Sequence, residues 1–245
     1  MKVRIVNKKD FVSNFLGSIS NVTESCVLKV SQNSIETILA SADSTLVVHG
    51  KTVAVSDGIK QINIPDIKKF IRVLDCVNVS DETPLEFNVT NNCIKYSNSD
   101  YKFSYHLLED GIIKSPSLNI DRVNELKFDT TFTVSENDLN NLFKGSSFTT
   151  NTNKLYIFCE NSHIFGELGD KTRHNTDNFQ CVLSKVFTGQ PLSKAIPINF
   201  DTFRLINYNK CKELQVSVSV SFSVLKISIT KGDTNLIYVI SALIN

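Results

Sequence analysis

The hydrophobic pattern changes period several times along the chain, and each change marks an expected element. Residues 3–6 alternate as a strand, Asn7 offers a helix N-cap, and Phe11 and Phe15 begin an apolar stripe that Gly17 is expected to close. The same order returns further on: a β-type run through Thr131, Phe132, Thr133 and Val134, a cap at Ser135, a stripe at Leu139, Leu142 and Phe143, and Gly145 as the closing residue. Asp10, Phe15 and Gly17 come back as Asp138, Phe143 and Gly145, each 128 positions later. A shared offset, with cap and stripe in phase, points to a duplicated domain.

The remaining pattern fills in both copies. Strands are expected over 26–30, 35–40, 46–49 and 52–55, with turns at Gly50 and at Asp57-Gly58. A second helix follows, with Pro65 near its start and Ile67, Phe70, Ile71 and Leu74 at i, i+3, i+4 and i+7. Strands over 85–89, 93–96 and 101–108 complete the first half. The second half repeats the series with strands over 154–159, 164–168 and 179–187, a polar loop over 169–178, a helix over 199–209, and strands over 214–218, 224–229 and 236–243. Between them, 109–129 carries a Gly and a Ser-Pro-Ser and reads as an extended connector, pinned to a surface by Ile112, Ile113, Leu118 and Ile120. The expected organisation is α+β: a domain at 1–108, a connector at 109–129, and a topologically similar domain at 130–245, each with two helices packed on antiparallel sheets.

Composition narrows the function classes. The chain is 41% hydrophobic and 21% charged, as ordinary globular proteins are. Its formal net charge of +1 means that any nucleic-acid binding must come from charge gathered on one face. Six cysteines occur without a CxxC or a close Cys/His pairing, which argues against zinc and against a disulfide scaffold. No leader-like stretch and no run of membrane-spanning length is present, so a reduced, cytoplasmic protein without a membrane partner is expected. His49, His106, His163 and His174 lack metalloprotease spacing, and no phosphate loop, nucleophile elbow or dinucleotide fingerprint exists. No catalytic residue, metal ligand or cofactor site is therefore assigned, and an enzyme is not expected.

The helix faces opposite the apolar stripes carry the chemistry. They hold Lys9 and Ser13; Lys68, Lys69 and Arg72; Asn137, Asn140, Asn141 and Lys144; and Arg204, Asn207 and Lys210. Carboxylates gather near helix starts (Asp10, Asp66, Glu136, Asp138, Asp201), where the helix dipole favours them. Any one such face is also what an ordinary solvated helix looks like. The same sign on four helices of a duplicated domain suits sequence-independent contact with duplex DNA, because phosphate contacts position a protein without reading bases. Lys9, Lys68, Lys69, Arg72, Lys144, Arg204 and Lys210 are the DNA-contact candidates.

The order strand, helix, several strands, helix, three strands, given twice and joined by a long connector, resembles the DNA sliding clamps of the PCNA type. It is most similar to the shorter clamps of T4-like bacteriophages, through SENDLNNLFKGSSF after TFTV and through IPINFDTFRLINYNKCKELQVSVS. The resemblance spans essentially the whole chain. It implies a DNA clamp fold and a homotrimeric ring that encircles duplex DNA, is opened by a clamp loader and tethers the replicative DNA polymerase; a phage origin would put it in the host bacterial cytoplasm. It also implies subunits joined edge to edge by strand pairing, here through Tyr101, Phe103 and Tyr105 and through Phe179, Cys181 and Leu183, strands that soluble proteins avoid leaving bare. A polymerase tail would dock at Ile112, Ile113, Leu118, Ile120 and Val239. Two alternatives stand beside the ring: a monomeric processivity factor that grips DNA with one basic face, and a structural viral protein that binds no DNA.

Overall fold

The computed structural model describes residues 1–77, 84–100, 102–149, 152–173, 176–208, 211 and 213–243. The chain divides into two compact units: Met1–Leu118 with Thr230–Leu236, and Asn119–Ile229 with Ile237–Asn245. No helix among the described residues is long and apolar enough to cross a membrane.

The first unit contains β1 (Lys2–Ile5), α1 (Lys8–Asp10), a π-type stretch (Phe11–Leu16), α2 (Gly17–Ser20), β2 (Cys26–Val30), β3 (Ser34–Ala40), β4 (Leu46–Ser56), β5 (Lys60–Ile64), α3 (Ile67–Asp75), β6 (Leu85–Val89), β7 (Cys93–Ser97) and β8 (Lys102–His106). Its strands pair in the order β5-β2-β3-β4-β1-β6-β7-β8, antiparallel throughout. Asn7 caps α1 as its sequence promises, its side chain accepting from the Asp10 N–H at 3.0 Å. Gly17 does not end the helix. It has helical φ and ψ, and the helix runs on through α2 because Leu16 and Ile19 extend the buried stripe past it. In α3, Ile67, Phe70 and Leu74 are buried, and Asp66 is the cap, accepting from the Lys69 N–H at 2.7 Å.

The second unit holds α4 (Ile120–Glu125), β9 (Thr130–Ser135), α5 (Glu136–Gly145), β10 (Lys154–Glu160), β11 (His163–Leu168), β12 (Phe179–Ser184), β13 (Phe187–Gly189), β14 (Ile196–Asn199), α6 (Phe200–Arg204), β15 (Glu213–Ser219), and most of β16 (Val224–Lys231) and β17 (Thr234–Ser241). One sheet runs β12-β11-β10-β14; the other runs β13-β9-β15-β16-β17. These match two stretches of the first unit's sheet, β4-β3-β2-β5 and β4-β1-β6-β7-β8. The duplication is thus visible in strand order, and the two units share one α+β topology.

The two copies differ where β4 stands, and here the sequence expectation is reversed. Residues 46–49 and 52–55 form one strand that runs straight through Gly50, and the expected strand 179–187 divides into β12 and β13. Gly50 is extended because the Phe15 ring lies 3.0 Å from where a Cβ would stand; it marks close packing and makes no turn. The chain breaks after β12 because the Ser184 hydroxyl donates to the Val186 carbonyl at 2.8 Å and Val186 is left exposed. Gly145 is likewise a packing glycine. It is the last helical residue of α5, and a Cβ there would stand 2.0 Å from the Phe179 ring.

Two further expectations change. The connector is not wholly extended: α4 forms inside it, with Asn119 accepting from the N–H groups of Asp121 and Arg122 and with Val123 buried. The helix expected over 199–209 stops at Arg204, because Tyr208 leaves the helical path to stack on Phe143, ring centroids 5.2 Å apart.

Replacing Gly145 by Ala should lower stability by about 1–3 kcal/mol through overpacking, measured as a fall in the urea midpoint. Adding Phe179→Ala should recover part of that loss. A second expectation concerns Tyr105, whose hydroxyl donates to the Asp66 carbonyl at 2.7 Å and whose phenol is pushed up to about 12 by burial. An unfolded tyrosine ionises near pH 10, so the folded state holds this proton more tightly between about pH 10 and 12, and stability falls as pH rises through that window. Tyr105→Phe should lose less stability than the parent chain between about pH 9 and pH 11 in urea titrations.

Candidate nucleic-acid interface

Each unit presents two helices side by side, held together before any ligand is considered. In the first, the Lys8 ammonium donates to the carbonyl of Val77, just past α3, and so fastens α1 to the far end of its neighbour. The buried Asp10 carboxylate faces inward, accepting from Asn14 and, at 2.7 Å, from Thr234. What remains outward is Lys9 and Ser13 on the first helix and Lys68, Lys69, Arg72 and Asp75 on α3, all exposed. None of these four cations takes part in an ion pair among the described residues.

The second unit holds its helix pair together with aromatic rings. Phe143 of α5 packs on Phe200 (5.5 Å), Phe203 (6.2 Å) and Tyr208 (5.2 Å), and the Tyr208 hydroxyl donates to Asn140 at 3.3 Å. Asn137, Asn141 and Lys144 are exposed, Asn140 is half-buried, and Lys144 takes part in no ion pair among the described residues. Arg204 is different. Its guanidinium donates to Asp201 (3.1 Å) and to the Ser146 hydroxyl (3.1 Å) and lies 4.5 Å over the Phe200 ring. Lys210 lies outside the described residues.

Many cations elsewhere are neutralised. Lys2 pairs with Glu86, Lys51 with Glu36, Lys154 with Asp170 and Lys171 with Glu167. The five unpaired helix cations therefore keep their full charge toward solvent, where an anionic polymer can be attracted without first breaking an ion pair.

The strands expected to join subunits are end strands: among the described residues, β8 pairs with β7 alone and β12 with β11 alone. Their side chains are less available than the pattern suggests. Tyr105 is buried against Phe70 (4.9 Å), Leu183 is buried, and Phe103 is half-buried on Tyr96 (5.4 Å). Phe179 and Cys181 are half-buried, and Tyr101 lies outside the described residues. Any pairing there rests on backbone groups and on the outward residues Lys102, Ser104, His106 and Gln180.

Of the expected peptide-docking residues, Ile112 and Ile113 line a groove of about 400 Å³ with Cys26, Val27, Leu39 and Pro65. Ile112 is 58% exposed, far more than an anchoring residue needs. Leu118, Ile120 and Val239 are half-buried and do not line this groove. Pattern reading missed the groove's other wall, since Cys26, Val27 and Leu39 look like plain strand residues.

No protein-family model matches the chain, and neither does any curated protein. Solved structures do. The PCNA of A. fulgidus, solved with the C-terminal region of FEN-1 bound, matches with a TM-score of 0.76 at 10% identity over 100% of this chain and 99% of that one. PCNA from Thermococcus kodakaraensis matches with a TM-score of 0.74 at 11% identity, over 99% of both chains. Proliferating Cellular Nuclear Antigen from Entamoeba histolytica gives 0.71 at 12% identity, over 99% of this chain and 98% of that one. The fold is that of the PCNA clamps along the full chain.

Because Arg204 joins α6 to the end of α5, Arg204→Ala should lower the melting temperature, with a loss of about 1 kcal/mol from one cation–π contact and two exposed hydrogen bonds. Lys144→Ala, which breaks no such contact, should leave the melt within about 0.5 kcal/mol of the parent.

Proposed function

We propose that this chain is a sliding clamp, a DNA polymerase processivity factor that encircles duplex DNA as a homotrimeric ring and tethers the replicative polymerase. The observation that carries the reading is the set of unpaired helix cations, Lys9, Lys68, Lys69, Arg72 and Lys144, on a duplicated clamp fold. Charge without base-reading geometry holds the phosphate backbone and lets it slide. The near-zero net charge favours enclosure over grip, since a monomer holding DNA by electrostatics alone would need many more phosphate contacts. On this reading the free edges of β8 and β12 pair between subunits, which removes two exposed edges at once. Ile112 and Ile113, in their groove on the first unit, receive a polymerase or loader segment. The chain acts as a scaffold and not as an enzyme, and a clamp loader opens the ring. The likeness of its second-unit helices to the T4-like phage clamps supports a phage-encoded protein working in the host cytoplasm.

Two measurements test this. Light scattering should give an assembly of about three times the 27.4 kDa chain, dissociating on dilution. After loading, the protein should stay on nicked circular DNA at moderate salt and leave it when the circle is cut, because a ring runs off an end. A monomer mass with equal retention on circular and linear DNA would point to a gripping monomer; no retention on either would remove the DNA reading.

A further inference from the structure

Taken one at a time, the two helix pairs have different electrostatics. The helices of the first unit and their caps set five cations (Lys8, Lys9, Lys68, Lys69, Arg72) against three carboxylates (Asp10, Asp66, Asp75), and Asp10 is turned into the core. In the second unit the α5 and α6 pair sets two cations, Lys144 and Arg204, against three carboxylates, Glu136, Asp138 and Asp201. Arg204 is further committed to Asp201, to Ser146 and to the Phe200 ring. On α5, Asn137 stands where the first copy has Lys9, and Asn141 where it has Ser13.

Counterion release, the main sequence-independent term in DNA binding, scales with the number of phosphates that cations neutralise. An amide can hydrogen-bond a phosphate or sugar but releases no counterion. A guanidinium already shared with a carboxylate has its charge partly balanced and attracts a phosphate less strongly.

Resting on the clamp reading above, we infer that the first unit is the electrostatic grip, through Lys9, Lys68, Lys69 and Arg72, while the second presents an amide-rich, nearly neutral surface on which Arg204 braces α5 against α6 and does not contact DNA. Each subunit then contributes one strongly cationic patch. The duplex is held at one domain of each subunit and rests on the other.

The test is fluorescence anisotropy of a labelled duplex of about 20 base pairs with the assembled protein, titrated between about 50 and 200 mM salt. The slope of log Kobs against log salt is read for matched double variants. For each subunit in contact with the duplex, K68Q/K69Q should reduce the magnitude of the slope by about 1.8, and K144Q/R204Q by no more than about 0.9, the share of Lys144 alone. D201N should raise affinity at low salt, because it releases Arg204 from its carboxylate; this arm holds even if K144Q/R204Q fails to fold. Equal slope losses for the two doubles, or no gain from D201N, would overturn the assignment. If the parent chain also binds neither the duplex nor circular DNA, the clamp reading itself has failed. If it is retained on circles while the slopes fall equally, only the uneven grip is lost.

Discussion

An aromatic ring seated where a side chain is missing ties helix to sheet in both units, and the two copies make this contact with the partners exchanged. In the first, the helix supplies the ring and the sheet the gap: Phe15 lies over Gly50 of β4. In the second, β12, the counterpart of β4's first half, supplies Phe179, and α5 supplies Gly145. Either arrangement brings helix and strand closer than two side chains would allow, and so fixes which face of the helix is buried. Once that face is chosen, the opposite one is committed to solvent or to a ligand. The outward helix faces therefore depend on two glycines in contacts on the opposite side.

That constraint also shows what was legible in the sequence. Caps and stripes were, because they are local: Asn7 and Ser135 cap as written, and the stripes of α3 and α5 are buried as their spacing requires. Glycines were misread, because a glycine that makes a turn and one that admits a ring look alike until the ring's position is known. Gly17 and Gly50, expected as punctuation, lie inside regular elements, whereas Gly145, expected as a cap, is the last helical residue of α5 with Ser146 as the cap. The short helix α4 went unseen because loop composition surrounds it, although Asn119 two residues before Asp121 was a cap signal. The aromatic stack that draws Tyr208 away from α6 is a tertiary contact, and no local pattern announces it.

The candidate surface was legible in outline and not in its balance. Subtracting a buried stripe gives the outward residues correctly, since a helix has only one other side. It does not say which charges are already spent. Lys8 and Lys9 are neighbours in sequence, yet one fastens two helices and the other is free. Arg204 resembled Lys144 until the ion pair with Asp201 was seen, although the i, i+3 spacing of that pair could have been read directly. Placement of charges, more than their number, lets a chain of net charge +1 show a cationic face: Lys9, Lys68, Lys69 and Arg72 stand together on one helix pair.

The match to known clamps at 10–12% identity has the same physical basis. Strand order, one apolar stripe per helix and a close helix–strand approach can each be met by many residue combinations, so a sequence can drift far while they persist. This chain shows such variety within itself, making a ring-in-gap contact with Phe15 over Gly50 in one copy and with Phe179 over Gly145 in the other. A constraint met in two ways by two halves of one protein leaves little residue identity to detect, even where topology is kept in full. Charge on the free faces is under still weaker structural control, because nothing packs there. Packing therefore does not account for Lys9, Lys68, Lys69 and Arg72 standing together on the outward side of the first unit.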